Sequence, residues 1–147
     1  MLEFDDAPKG LARLIYASRA VGVGGDLAEQ VRAILVKSIH NNRLAAISGF
    51  LVVGEGRFLQ VLEGPVDEVE ATFRRISQDP RHDDMVVIAK GQADHRLFRD
   101  WNLAQHHLNA ADQPLLAEVG LSNFTPDLLS EDQALRVLTM FGARHRR

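Results

Sequence analysis

The first candidate for chemistry is a glutamine inside an apolar stretch, Phe-Leu-Gln-Val-Leu-Glu-Gly at residues 58–64. Side chains alternate between the two faces of a β-strand, so Phe58, Gln60 and Leu62 share one face. A buried amide costs free energy unless its donors and its acceptor are paired. We therefore expect Gln60 to bind a polar group that the fold, a water molecule or a ligand supplies.

Tyr16 is the second candidate, and it lies in a stretch from Leu11 to Ser18 that predicts a strand. Taken alone, a tyrosine in such a stretch is a core residue. Its hydroxyl group still needs a hydrogen-bond partner when the ring is buried. Gln60 supplies that partner if the two strands are neighbours in the sheet.

Two further pairs of polar residues have both an ordinary and a functional interpretation. Arg75 and Asp79 lie four residues apart at the end of a predicted helix and share a face. They form either an exposed ion pair or a guanidinium fork and an acceptor for the polar edge of a planar heterocycle. Asn41 and Asn42 follow the preceding helix, either as a C-cap and turn or as amides that face a ligand. The residues alone leave both alternatives open.

The sequence argues against several other kinds of site. The chain has no cysteine, which excludes disulfides, thiolate chemistry and cysteine metal sites. Ser18, His82 and Asp79 have the side chains of a catalytic triad, but there is no nucleophile elbow. No recognised metal-ligand spacing links the histidines, so we expect no metal site at His82, His95, His106 and His107.

Composition limits the class of protein and its partners. The 147 residues suit one domain with an appendage, and a hydrophobic content of 46% allows a sizeable core. A net charge of −3 gives no basic surface for nucleic acid. No apolar run reaches the length of a membrane span, and the N-terminus lacks the apolar core of a signal peptide. We expect a cytoplasmic protein with neither nucleic acid nor membrane as partner.

The order of predicted elements is β-α-β-β-α-β-β, with one helix after Asp26 and the other after Pro65. This order predicts an α+β, ferredoxin-like sheet with both helices on one face. The predicted strands are Leu11 to Ser18, Ala46 to Val53, 57–63, Met85 to Ala89 and Leu97 to Ala104. The expected organisation is an N-terminal lead-in (1–10), the sheet domain (11–104) and a C-terminal helical extension (105–147).

The extension ends in a helix with a clear start. Ser130 and Gln133 match a capping box, in which the two side chains bind each other's backbone N–H groups. Leu135, Leu138 and Phe141 then recur three residues apart. This apolar face is too large for a solvated tail, so we expect it to pack on the exposed face of the sheet or on another subunit.

Taken together, these pieces resemble the BLUF family of flavin-based blue-light sensors over about residues 11–104. No single motif carries the resemblance, which lies in the order and spacing of the set. The matching pieces are Leu14-Ile15-Tyr16-Ala17-Ser18, Asn41-Asn42, Ile47-Ser48-Gly49-Phe50-Leu51, Phe58 to Pro65, Asp79-Pro80-Arg81-His82 and Arg96 to Trp101. Leu103 stands where the family often has methionine, and Ser48 where threonine is commoner.

The resemblance implies a noncovalent FAD between the two helices. Tyr16 matches the photoactive tyrosine, and Gln60 matches the glutamine that links it to the flavin and changes its hydrogen bonds in light. The implied flavin contacts are Asn41, Asn42, Gln60, Arg75, Asp79 and His82. The implied supporting residues near the glutamine are Ser18, Trp101 and, with the noted change, Leu103.

The implied function is that of a blue-light photoreceptor rather than an enzyme. The short extension after residue 104 leads us to expect output through a downstream protein, with the chain in a homodimer or a larger assembly. One alternative is a small ferredoxin-like enzyme of the acylphosphatase type, which leaves Tyr16 and Gln60 unexplained. A light-insensitive binding module that has lost the flavin is the other.

Overall fold

A computed structural model of the protein describes residues 10–20, 47–78, 82–98 and 102–144. The predicted helix after Asp26 lies outside these ranges. The strands are β1 (Leu11–Ala20), β2 (Ser48–Gly54), β3 (Arg57–Pro65), β4 (His82–Ala93) and β5 (Asn102–His107). The helices are α1 (Val66–Ser77), α2 (Gln113–Glu118) and α3 (Glu131–Arg144), with short 3-10 turns at Ala110–Asp112 and Pro126–Leu128.

The strands form one sheet in the order β4-β1-β3-β2-β5. All neighbours are antiparallel except β2 and β5, which are parallel. The predicted α+β, ferredoxin-like fold class is confirmed. A two-residue turn joins β2 to β3, where Glu55 and Gly56 take positive φ angles of 51° and 75°, as hairpin turns of this length favour.

The sheet carries a separate apolar core on each face. On the first face, alternate residues of β1 and β3 pack with Val69 and Ile76 of α1. On the second face, the intervening residues pack with Val137, Leu138 and Phe141 of α3. The expectation that the last helix packs on the sheet is therefore confirmed. Because β1 and β3 contribute apolar side chains to both cores, most of their residues are buried.

Helix α3 begins at the predicted capping box. The backbone N–H of Gln133 donates to Ser130 Oγ at 3.2 Å, and the Ser130 N–H donates to Gln133 Oε1 at 3.2 Å. These bonds satisfy backbone donors that the first helical turn leaves without partners. The capping bonds thus fix the residue at which α3 begins.

The prediction for the fifth strand was wrong at both ends. Strand β5 starts at Asn102 rather than Leu97 and continues to His107 rather than Ala104. Leu97 and Phe98 belong to the connection before it, where their backbone N–H groups donate to a side chain instead of a neighbouring strand. Phe98 is nevertheless fully buried, which is why the stretch has the apolar pattern of a strand. Strand β4 is also longer than the predicted Met85–Ala89.

The end of β5 is joined to the C-terminal helix by one imidazole. The His106 ring stacks on Phe141 of α3, with centroids 4.5 Å apart and planes at 17°. Its Nε2 lies 2.9 Å from Oδ2 of the buried Asp112, which also accepts the backbone N–H of Asn109 at 3.0 Å. Burial alone would raise the pKa of Asp112, but the bonds from Asn109 and His106 and the charge of Arg144 outweigh it and lower the pKa.

Because the pKa of Asp112 is lowered on folding, its carboxylate stabilises the native state at pH values above the ordinary pKa of 3.8. That contribution is lost as the pH falls through the lowered value. We expect Asp112→Asn to unfold more easily at neutral pH and to lose less stability than the parent protein on acidification. Urea unfolding at several pH values measures both. An unchanged slope of stability against pH in acid would contradict the assignment.

No helix in the described ranges is long and apolar enough to cross a membrane.

Candidate functional site

Tyr16 and Gln60 face each other across the β1–β3 pair. They are directly opposite in the antiparallel register, so their side chains leave the sheet on the same face. The Tyr16 hydroxyl donates to Gln60 Oε1 at 2.5 Å. Tyr16 is 1% exposed and Gln60 0%. The contact expected from the two strand patterns is present, in the interior of the molecule.

Helix α1 lies over this face because it follows β3 directly. Pro65 ends the strand and is the N-cap of the helix. The Phe73 ring packs on the Tyr16 ring, with centroids 5.4 Å apart and planes tilted by 60°. Aromatic pairs favour this tilted arrangement. The packing holds the tyrosine ring while its hydroxyl reaches the glutamine.

The environment keeps the Tyr16 phenol neutral. Burial raises the pKa of Tyr16 far above its ordinary value of 10.0, because the phenolate would lose its hydration. A neutral phenol keeps the proton that it donates to Gln60. With Oε1 occupied in this way, the NH₂ group of the amide is left for another partner.

Among the residues that the structure describes, Gln60 Nε2 has no hydrogen-bond partner, although it is fully buried. A buried donor without an acceptor costs about 1–3 kcal/mol. The ring of a flavin has carbonyl oxygens and ring nitrogens along one polar edge, which are acceptors for such a donor. The Tyr16–Gln60 pair therefore fits a flavin placed against this face of the sheet.

The other predicted site residues lie in different parts of the structure, and some lie outside the described ranges. Ser18 is buried two residues after Tyr16 on the same strand face, while Arg75 is exposed on the last turns of α1. His82 is the first residue of β4, and Leu103 is the second residue of β5. The remaining predicted residues lie outside the described ranges: Asn41, Asn42, Asp79 and Trp101.

Sequence reasoning missed a buried carboxylate on the opposite face. Glu63 is 1% exposed and accepts hydrogen bonds from Arg13 Nε at 2.8 Å, Leu97 N at 3.0 Å and Phe98 N at 2.8 Å. A charged residue directly after the run 58–62, opposite an arginine on a neighbouring strand, was the available signal. It appeared in the sequence only as the end of the strand.

In the described part of the chain, no three histidine or carboxylate side chains lie close enough together to hold a metal ion.

The single tyrosine of the chain provides a direct test of the buried site. Because the pKa of Tyr16 is raised on folding, the neutral phenol stabilises the native state below the ordinary value of 10.0. That stability is lost as the pH rises beyond this value. We expect no tyrosinate absorption in the folded protein on alkaline titration, and its appearance only together with unfolding. Tyrosinate formed near the ordinary pKa in protein that keeps its circular dichroism would contradict the burial.

The chain is similar in sequence to proteins of a known family. The family model BLUF, sensors of blue-light using FAD, matches residues 11–104. A photoactivated adenylate cyclase subunit beta of Euglena gracilis is 33% identical over 104 residues, which is 68% of this chain. The match covers only 12% of the length of that subunit. This chain therefore corresponds to a small part of that subunit.

Solved structures resemble the chain over most of its length. BlsA in its photo-activated state superposes with a TM-score of 0.80 and 27% identity, and the match covers 93% of this chain and 98% of that one. The dark-state structure of BlrB, a BLUF protein, gives a TM-score of 0.71 at 25% identity, with 92% and 98% covered. Since both matches extend beyond residue 104, the helices after β5 also resemble those of the solved structures.

Proposed function

The chain belongs to the BLUF family of blue-light sensors, and we propose that it binds FAD noncovalently and converts light into rearranged hydrogen bonds around Gln60. The observation that carries the proposal is the buried Tyr16–Gln60 pair with an NH₂ donor still to be matched. Residues 11–104 are a sensor domain rather than an enzyme. This makes the acylphosphatase alternative untenable for the sheet.

The hydrogen-bond donors and acceptors of Tyr16 and Gln60 determine what these two side chains can do. When bound, the flavin would supply the absorption of blue light and the capacity to accept an electron. Tyr16 has an oxidisable ring, and its hydroxyl holds a proton that it donates in a hydrogen bond to Gln60 Oε1. An amide has a donor end and an acceptor end, so rotation or tautomerisation of Gln60 exchanges its bonds with little movement. Burial makes each bond stronger than in water, so the exchange is energetically significant.

The residues that would hold the flavin follow the family resemblance. Asn41 and Asn42 would bind the ring, and Arg75, Asp79 and His82 would supply further polar contacts. Ser18, which is buried two residues after Tyr16 on the same face of β1, would be a supporting residue near the glutamine. By the same resemblance, Trp101 and Leu103 would be supporting residues for the switching glutamine. The proposed domain is 11–104, preceded by a lead-in and followed by the helical extension 105–147.

Output to another protein is the second part of the proposal. The relative from Euglena carries the name of a cyclase subunit. A bacterial light-regulated adenylyl cyclase also matches, with a TM-score of 0.62 at 28% identity, and the match covers 33% of that chain. We infer that this chain likewise passes its signal to a partner, through a homodimer or a larger assembly in which the C-terminal helices take part. The packing of α3 directly on the sheet supports this route.

Absorption spectroscopy of the purified full chain tests the proposal. We expect a yellow protein whose flavin is released by denaturation and identified as FAD by chromatography. Blue light should shift its absorption reversibly to the red. A colourless protein that cannot be loaded with FAD would refute the function. Tyr16→Phe should bind the flavin but lose the light-induced shift, because the ring remains while the hydroxyl donor is gone.

A further inference from the structure

The Glu63 cluster joins the connection before β5 to the centre of the sheet. It consists of Arg13, Ser48, Glu63, Arg96 and the backbone N–H groups of Leu97 and Phe98. Glu63 and its register partners, Arg13 on β1 and Ser48 on β2, lie side by side on the three central strands. They project from the face opposite Tyr16 and Gln60, since Glu63 is three residues beyond Gln60 on β3.

Both oxygens of the buried carboxylate are used to hold the connection. Oε2 accepts from Arg13 Nε and from Leu97 N, and Oε1 accepts from Phe98 N. Arg13 Nη2 also donates to the His95 carbonyl at 3.0 Å. A buried carboxylate is tolerated only when it is paired and fully hydrogen-bonded. The loss of any one bond in this cluster is therefore unfavourable.

A second arm of the cluster reaches the start of the β2–β5 pairing. Arg96 Nη1 donates to Ser48 Oγ at 2.8 Å and to the Glu63 carbonyl at 3.3 Å. The next residue of β2, Gly49, is the one paired with Asn102 at the start of β5. Asn102 is only four residues after Phe98, and a chain of four residues spans at most about 14 Å. The cluster therefore restricts where β5 can begin.

The pairing of β5 itself leaves its start loosely determined. Gly49 pairs with Asn102 but Phe50 pairs with Ala104, so the register shifts at Leu103. A strand with an irregular ladder at one end can slide or peel there more easily than a regular one. The hydrogen bonds between β2 and β5 therefore do not by themselves fix the start of β5.

We propose that Glu63 is a positioning residue that holds the start of β5, through Leu97 and Phe98, against the sheet and so controls how β5 responds to light. This inference rests on the proposed photoreceptor function. It assigns to the second sheet face a part in the recovery of the dark state, although no atom of the carboxylate faces the Tyr16–Gln60 pair.

Glu63→Gln is the primary test, because glutamine has nearly the same shape but only one acceptor oxygen. One of the two backbone N–H groups then loses its acceptor, and Arg13 loses its charge partner. We expect amide hydrogen exchange of the 97–107 segment in the dark to accelerate by about tenfold, as expected for the loss of a charge-assisted bond. Glu55→Gln removes the same charge from the exposed β2–β3 turn and is the matched control.

The light response separates positioning from general destabilisation. In Glu63→Gln we expect an unchanged dark spectrum and red shift, a dark recovery rate altered by at least about threefold, and a smaller light–dark difference in exchange over β5. Unchanged exchange over β5 in the dark, or a parental recovery rate, would overturn the proposal.

If Glu63→Gln does not fold, Arg96→Gln provides a second test. This variant leaves the carboxylate intact and should give the same changes, but smaller ones. Absence of flavin or of any red shift in the parent protein would refute the proposed function, whereas dark exchange still decides the anchoring.

Discussion

Replacing Gln60 by leucine is expected to abolish the light-induced red shift while the flavin stays bound. Leucine fills a similar volume on a strand where Phe58 and Leu62 are already its apolar neighbours on the same face. It removes both the acceptor of the Tyr16 hydroxyl and the orphan donor at Nε2. Light and dark spectra of the reconstituted variant measure the loss directly.

The matched control for this substitution is Gln92→Leu, at an exposed position of β4. The same change in side chain there should leave the red shift as it is in the parent protein. The two variants separate the loss of one amide from the effect of an added leucine. A Gln60→Leu variant with a full, reversible red shift would remove Gln60 from the mechanism.

Truncation of Phe141 to alanine is expected to give the largest loss of stability among single changes in the extension. The ring is 0% exposed, stacks on His106 and lies in the core between α3 and the sheet. Phenylalanine-to-alanine changes in cores cost about 3–5 kcal/mol. Domains of ordinary stability have only about 5–15 kcal/mol in total. Urea unfolding followed by circular dichroism gives the difference.

Thr139→Ala on the exposed side of the same helix provides the comparison. A surface change of this kind is expected to alter the free energy of unfolding by no more than about 0.5 kcal/mol. If Phe141→Ala lost less than about 1 kcal/mol, the extension would not be a cooperative part of the folded domain. The result matters for signalling, because a weakly attached helix and a tightly attached one would transmit a change in β5 differently.

Local patterns predicted the face on which the candidate site lies. Alternation in the third strand placed Gln60 with Phe58 and Leu62, and a tyrosine of the same phase on the first strand faced it. This worked because strand phase is set by the pleat and does not depend on distant contacts. The capping box at Ser130 was equally local, since its two partners are three residues apart.

Polar contacts between residues far apart in the chain could not be predicted from local sequence patterns. Nothing within the segment 97–98 indicates that its N–H groups bind Glu63, which lies 34 and 35 residues away in the chain. The apolar side chains of Leu97 and Phe98 therefore predicted a strand that begins five residues too early. Segments whose backbone bonds are made to side chains cannot be distinguished from strands by hydrophobic pattern alone.

Strand β4, at one end of the sheet, has a consequence for how the protein behaves at high concentration. Its pairing with β1 shifts register twice, between Ile15 and Tyr16 and between Ala17 and Arg19. Such bulges break the even row of donors and acceptors that an incoming strand would need. Val86 and Val87 are exposed there by 37% and 45%, yet the backbone beside them is a poor template. We expect concentrated solutions to stay dispersed instead of polymerising into fibrils through this edge.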